Sequence, residues 1–321
     1  MAKYVSFNTD DIVESTTKVT TGYFSSGIGT LAGSSLITAS LAATQKKYYY
    51  NLQNSNEDQF SVTFGHIAGS GSDAVTNVKG ETEAIYRQFA SNLLFPDDIE
   101  GGFKIDGTNR DDFIYIIVGE RARMKDRINK KNWTLSLSGS KGSLLTNATG
   151  SELKLTDDSN TVTATNSPVG PRYNIVSGTL GNVHTAASTK NYGYFYPNVG
   201  TLVLSGKQLS SSLPGLAALV PSASSFQQNM GFAPDLRNGL GADNAFKIAA
   251  GMMRGGNHSF RSEEDQVSRH YFCRAKAPDF NFSNNPTFTS GSDNEIRQAD
   301  MNGNPQTFIT KVGLYDSSVP P

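Results

Sequence analysis

Charge is scarce in this sequence. Charged residues make up 18% of its 321 residues, against about 25% in typical soluble domains, and 28 Lys and Arg nearly cancel 29 Asp and Glu. With neither a basic excess nor a sustained basic run, the chain carries no electrostatic footprint for gripping DNA or RNA, and nucleic acid drops out as a partner. A single cysteine, Cys273, excludes an internal disulfide framework and fits folding in a reducing compartment. A long charge-free passage, residues 19–45, holds ten Ser or Thr and four Gly among its 27 residues. A membrane-spanning helix needs about 20 predominantly apolar residues, so no span is expected there. No apolar stretch follows Met1-Ala2-Lys3-Tyr4, and a secretory signal is not expected either.

The motifs of catalysis and cofactor binding are also missing. His66, His184, His258 and His270 stand far apart in sequence, without the spacing that a metal site requires. Gly27, Gly29 and Ala32 match a dinucleotide-binding pattern. No buried strand precedes them and no acid lies about 20 residues on, so the stretch reads instead as a flexible Gly/Ser arm. Gly69 to Asp73 lacks the Gly-Lys-Ser/Thr ending of a phosphate-cradling loop and reads as a turn. The paired acids Asp10-Asp11, Asp97-Asp98, Asp111-Asp112 and Asp157-Asp158 are adjacent. Neighbouring residues on a strand point to opposite faces, so helix caps and turns explain these pairs better than acid–base catalysis does. Asp106 to Asp112 is oxygen-rich but lacks the ligand alternation of a calcium loop, and Arg110 would put a positive charge in the cage. The expectation is a chain with no cofactor, no metal and no enzymatic activity.

What is present is β-structure and polar neutrality. Gln59 to Gly65 alternates polar and apolar residues, with Phe60, Val62 and Phe64 on one face. Phe113 to Val118 is apolar throughout and reads as a strand covered on both faces. Strands are also expected at 133–137, 152–155, 173–176, 192–196 and 201–205, with a Pro-Asn-Val-Gly turn joining the last two. Ile85, Phe89 and Leu93 recur every four residues and predict a helix over 82–94, ended by Pro96. Residues 213–219 and 242–253 are helix-compatible. Glu120 to Arg127 is the one dense charge cluster, and its Arg121, Arg123 and Lys125 are candidate contacts to a neighbouring subunit, though a solvated surface explains them as well.

Val267 to Asp316 is the stretch on which the reading turns. Its beginning (RHYFCRA) and its end (TFITKVGLY) predict strands, and between them Phe280 and Phe282 alternate with polar residues before Asn284-Asn285-Pro286 breaks the run. A roughly 30-residue excursion between strands usually has a function.

The combination FNFSNNPTF followed by MNGNPQTFITKVGLYD resembles a virion structural protein of the T-even-like contractile-tailed bacteriophages, a tail or baseplate component. YYYNLQNSNEDQFSVTFGH (48–66), ETEAIYRQF (81–89), DDFIYIIVGERARMKDR (111–127) and YGYFYPNVGTLVLSG (192–206) fit the same resemblance, which covers about half the chain. It implies a non-enzymatic baseplate subunit of the virion, assembled in the host cytoplasm, with other tail proteins and further copies of itself as partners. It also implies one or two further strands after VGLYD.

The fold expected is mainly β with some α, multidomain, with antiparallel sheets or a sandwich. Its expected divisions are an N-terminal arm (1–45), an α+β core (46–138), a small all-β insertion (139–181) and a β-rich C-terminal domain with an extended arm (182–321). Phe280, Phe282 and Phe288 are the expected interface anchors, because aromatic side chains dominate interface energetics. The alternatives are a receptor-binding fibre or adhesin, with the Thr-rich 139–181 region touching the host surface, and a neck or collar protein. A glycan-cleaving enzyme has only scattered acids behind it.

Overall fold

The structure, a computed structural model, describes residues 6–72, 80–140, 151–184, 190–215, 231–234, 236, 241–274, 276, 280, 281, 283, 285–308 and 310–315. The helix expected over 213–219 falls largely outside them. The chain divides into two units, Lys18–Asp265 on one hand and Met1–Thr17 with Gln266–Pro321 on the other. It is mainly β with antiparallel sheets, as expected.

Strands follow in chain order as β1 (Ile12–Gly22), β2 (Thr30–Ala32), β3 (Ile37–Thr38), β4 (Tyr50–Asn54), β5 (Glu57–His66), β6 (Phe113–Gly119) and β7 (Arg127–Ile128). They continue as β8 (Leu135–Gly139), β9 (Ser151–Asp157), β10 (Thr165–Ser167), β11 (Gly170–Thr179), β12 (Asn182–Val183), β13 (Gly193–Tyr196) and β14 (Thr201–Ser205). The last are β15 (Asn257–Ser259), β16 (Arg261–Tyr271), β17 (Thr289–Ser290) and β18 (Glu295–Ile296).

Within Lys18–Asp265, eleven strands form one antiparallel sheet in the order β3-β4-β5-β6-β14-β13-β11-β9-β8, with β10 and β12 hung on β11. The middle of this sheet is apolar on both faces because its strands alternate two hydrophobic sets. On β6, β14 and β13, Tyr115, Ile117, Leu202, Leu204 and Phe195 join one core, while Ile114, Ile116, Val203, Tyr194 and Tyr196 join the other. The second core is roofed by the helix Glu81–Leu93, whose Ile85, Tyr86, Ala90 and Leu93 are buried. Tyr86 clamps that layer. Its hydroxyl donates to the Asp111 carbonyl (2.8 Å) and accepts from the Phe103 N–H (3.0 Å), and burial pushes its pKa up to about 12.

The first core is closed by the helix Gly241–Met253, through Ala245, Ile248, Ala249 and Met252, and by an aromatic cluster around Phe260. Phe260 lies 5.2 Å from Phe60, 5.6 Å from Trp133 and 5.8 Å from Tyr23, centroid to centroid, and all four rings are almost fully buried. His258, on β15 and also fully buried, accepts from the Ser136 N–H at Nδ1 (3.3 Å), which leaves Nε2–H to donate to the Met252 carbonyl (2.9 Å).

Two expectations about this unit are corrected. The stretch expected as a flexible Gly/Ser arm, 22–44, is part of the core. Tyr23, Phe24, Leu31 and Leu36 are buried, and β2 pairs antiparallel with β15, Leu31 opposite His258. Gly22, Gly29 and Gly33 serve close approach rather than flexibility. A Cβ on Gly22 would lie 2.0 Å from the Gly27 carbonyl oxygen, and one on Gly33 would lie 2.4 Å from the carbonyl oxygens of both Gly255 and Met252. The Thr-rich passage 139–181, expected as a separate insertion, supplies β9 and β11 to the main sheet between β8 and β13. Its buried polar residues are hydrogen-bonded, Thr156 donating to the Trp133 carbonyl (2.8 Å) and Asp158 accepting from the Asn174 N–H (3.1 Å).

Gly33→Ala is therefore expected to destabilise the protein by about 1–3 kcal/mol through overpacking, read as a lower midpoint in chemical denaturation. An unchanged midpoint would put the glycine back in a free arm. Burial lowers the His258 pKa below its ordinary 6.5, so the folded protein takes up this proton less readily than the unfolded chain. Its contribution is complete above that value and declines as pH falls below it. His258→Gln should accordingly show a shallower loss of stability than the native protein between about pH 7 and pH 5, measured by denaturant titration. Parallel curves would contradict this.

Candidate functional site

The candidate site is the unit formed by Met1–Thr17 and Gln266–Pro321. Among its described residues no hydrophobic side chain is buried. Yet it carries Phe7, Ile12, Val13, Val267, Tyr271, Phe272, Phe280, Phe308, Val312, Leu314 and Tyr315, eleven of the eighteen exposed large hydrophobics of the described protein. Scattered exposed apolar residues are ordinary on a surface. Exposing this many while burying none among the described residues leaves them little apolar burial to offset the entropy of ordering the chain.

Its regular structure is thin. β1 and β16 run antiparallel. Towards their Lys18–Asp265 side the Tyr23 N–H donates to the Phe260 carbonyl (3.3 Å), and at the far end the Phe272 N–H donates to the Asp11 carbonyl (2.9 Å). The third strand of this sheet, β7, pairs only with Ser262 and Glu263. Beyond these the ribbon has two strands, an arrangement that is marginal in water by itself. Of its ion pairs, Arg269–Glu14 is exposed on both sides, whereas Arg274 meets a buried Asp11. The Arg269 guanidinium sits 2.8 Å from Glu14, and Arg274 sits 2.9 Å from Asp11. Neighbouring Glu14 holds the Arg269 pKa above its ordinary value. A small hairpin of β17 and β18 follows, with Thr289 opposite Ile296.

The expected anchors are placed unevenly. Phe280 is exposed, and its carbonyl accepts from the Thr307 hydroxyl (3.3 Å). Phe288 is half-buried, its N–H donating to the Asn285 carbonyl (2.8 Å) and its carbonyl accepting from the Arg297 N–H (3.1 Å). Phe282 lies outside the described residues. Beyond the Thr307 contact, the predicted strand Phe308 to Tyr315 is a correction. Its described residues have no regular secondary structure, and Phe308 is 90% exposed. A strand requires a neighbour in register to take up its N–H and C=O groups, and alternation along the chain does not supply one.

The charge cluster is corrected as a free docking patch, because its cations are engaged within their own unit. Arg123 pairs with Glu57, and the Lys125 ammonium is 2.9 Å from Glu264. Arg121, itself exposed, donates to the Asp126 carbonyl (3.3 Å). Nearby, Glu263 accepts from Arg127 (2.6 Å) and from Asn129. Burial raises the Glu263 pKa, but these bonds and the Arg127 charge outweigh it and hold the carboxyl below the usual range.

The paired acids are structural. Asp97 and Asp98 sit in the first turn of a short helix, and Asp11 accepts from the Asn8 N–H (3.1 Å). Asp106 accepts from the N–H groups of Thr108 (2.9 Å) and Asn109 (2.7 Å), closing a turn. Fully buried Asp157 accepts from the Lys131 N–H (2.9 Å), and burial raises its pKa. Among the described residues, no three His, Cys, Asp or Glu side chains converge as a metal site requires, and no helix is long and apolar enough to cross a membrane.

A shallow cleft of about 380 Å³ opens beside β11, lined by Lys130, the 159–164 turn and Tyr173. The Lys130 ammonium donates to the Tyr173 hydroxyl at 3.0 Å. Comparison of the chain with protein-family models, with curated proteins and with solved structures gives no match.

Proposed function

We propose that this chain is a structural subunit of a contractile-tailed phage virion, placed in the tail baseplate, which works by assembly with other tail proteins and does no chemistry. The observation that carries the assembly reading is the asymmetry between the units. One has two apolar cores, while the other exposes eleven large hydrophobics and buries none among its described residues. Such a surface gains its stability from what covers it. The phage tail as the setting rests on the sequence resemblance over 280–288 and 301–316 and the four other stretches.

Two features expected to contact neighbours are no longer part of this reading: the 22–44 stretch is core, and Arg123 and Lys125 are ion-paired within the chain. What is left is the ribbon and the extended tail, including Phe280, Phe308, Val312, Leu314 and Tyr315. Extended segments dock by adding strands to a neighbour, main-chain hydrogen bonds supplying affinity and alternate side chains filling pockets.

A second reading has one observation in its favour. The cleft beside β11 combines the hydroxyls of Ser159, Thr161 and Thr163, the Asn160 amide and an aromatic ring, a lining suited to a neutral polyol such as an envelope glycan. In that case the subunit would touch the host surface.

Phages propagated with a Phe308→Asp, Val312→Asp, Leu314→Asp variant as the sole source of this protein should yield particles containing less than about a tenth of the normal amount, while the variant's denaturation midpoint stays native. Normal incorporation would remove the tail from the assembly surface. For the second reading, calorimetric titration with host envelope polysaccharide should show binding that Asn160→Ala with Thr161→Ala weakens at least tenfold. No heat from the native protein would dismiss it.

A further inference from the structure

The chemistry of the ribbon narrows the identity of one of its partners. Alternation along a strand puts Ile12, Glu14 and Thr16 on one face of β1, and Val267, Arg269 and Tyr271 on one face of β16. The 2.8 Å contact between Glu14 and Arg269 shows that these two sets share the same face of the ribbon. Tyr271 also packs against Phe7, centroids 5.5 Å apart. The face therefore has an acid and a base side by side in the middle, with apolar side chains at both ends. Ile12, Val267 and Tyr271 are 40%, 55% and 40% exposed, and the side chains of the central pair are themselves half exposed or more.

We infer that this face binds the same face of a second copy of the chain. If two ribbons stack across a two-fold axis running along the strands, β1 of one copy lies over β16 of the other. Glu14 then meets the second copy's Arg269, Ile12 meets its Tyr271, and Thr16 meets its Val267. Every apolar residue finds an apolar partner or a methyl group, and the charges meet with opposite sign. A foreign partner would need an independently evolved acid and base in mirrored order, whereas a second copy carries them automatically. The alternative axis, across the strands, sets Glu14 over Glu14 and is disfavoured by like charge. Six residues on each of two strands cover a patch of only about 20 by 10 Å, well below the roughly 800 Å² per partner of a standard interface, so the dimer is weak and should form only toward about 100 μM. The inference rests on reading this unit as an assembly surface and specifies what covers one part of it.

Sedimentation equilibrium of the full chain between about 1 and 200 μM tests it, with charge reversal as the discriminating step. The native protein should dimerise. Glu14→Arg leaves two bases on the face and Arg269→Glu leaves two acids, so each variant by itself should self-associate at least tenfold more weakly. Mixed in equal amounts, the two should form a heterodimer, which a purely intrachain role for the pair cannot produce. Val267→Asp, which leaves both charges in place, should also yield monomer. A native chain that stays monomeric, or a mixture that does not associate, overturns the inference. Such a result paired with reduced incorporation of the Phe308, Val312, Leu314 variant would assign the ribbon to a different protein and leave the assembly reading intact.

Discussion

The architecture depends on the burial of one ring, that of Phe260. It packs on Tyr23 and Phe24 from the N-terminal stretch, on Phe60 from the main sheet and on Trp133 from the segment before β8. Its backbone is held in the same place, since its N–H donates to the Gly29 carbonyl and its carbonyl accepts from the Tyr23 N–H. Segments more than 200 positions apart in sequence are thus joined by one residue. Fully burying such a side chain contributes about 1.5–3 kcal/mol, and aromatic contacts of this geometry add to that.

β1 and β16 both continue beyond Lys18–Asp265 in sequence. Both strands leave the aromatic cluster hydrogen-bonded to each other, and the last reinforcement is β7 with its ion-paired side chains around Glu263. Along the ribbon, burial then falls away, from a buried Ser262 and Glu263 to a run of exposed residues ending at Tyr271. Within Gln266–Pro321 and Met1–Thr17 the same two strands carry exposed apolar side chains. A low overall charge suits such an arrangement, because interface cores are depleted of charge and neutral polar groups cost less to desolvate.

Much of the main sheet was legible beforehand. The 113–118 strand, the alternation of Phe60, Val62 and Phe64, and the helix carrying Ile85 and Leu93 are all observed, because each follows from a local period of two or of about 3.6. The 22–44 stretch was illegible for a specific reason. Gly22, Gly29 and Gly33 look like flexibility until the backbones and the Arg261 side chain that crowd them are known. At the candidate site, the aromatic content of 280–315 could be read, but its exposure could not. The loss of Arg123 and Lys125 as free cations was equally invisible, since Glu57 and Glu264 lie 66 and 139 positions away.

By itself, then, the sequence determined secondary structure where hydrophobic periodicity was strong, the antiparallel β-rich class, and a neutral, polar character without catalytic or metal-binding spacing. Only the tertiary structure decided which glycines are close contacts, which charges are already paired, and which unit has a core. Periodicity is a property of neighbours along the chain, whereas burial and pairing depend on which distant segments meet, and that meeting is set here by Phe260 and the rings around it.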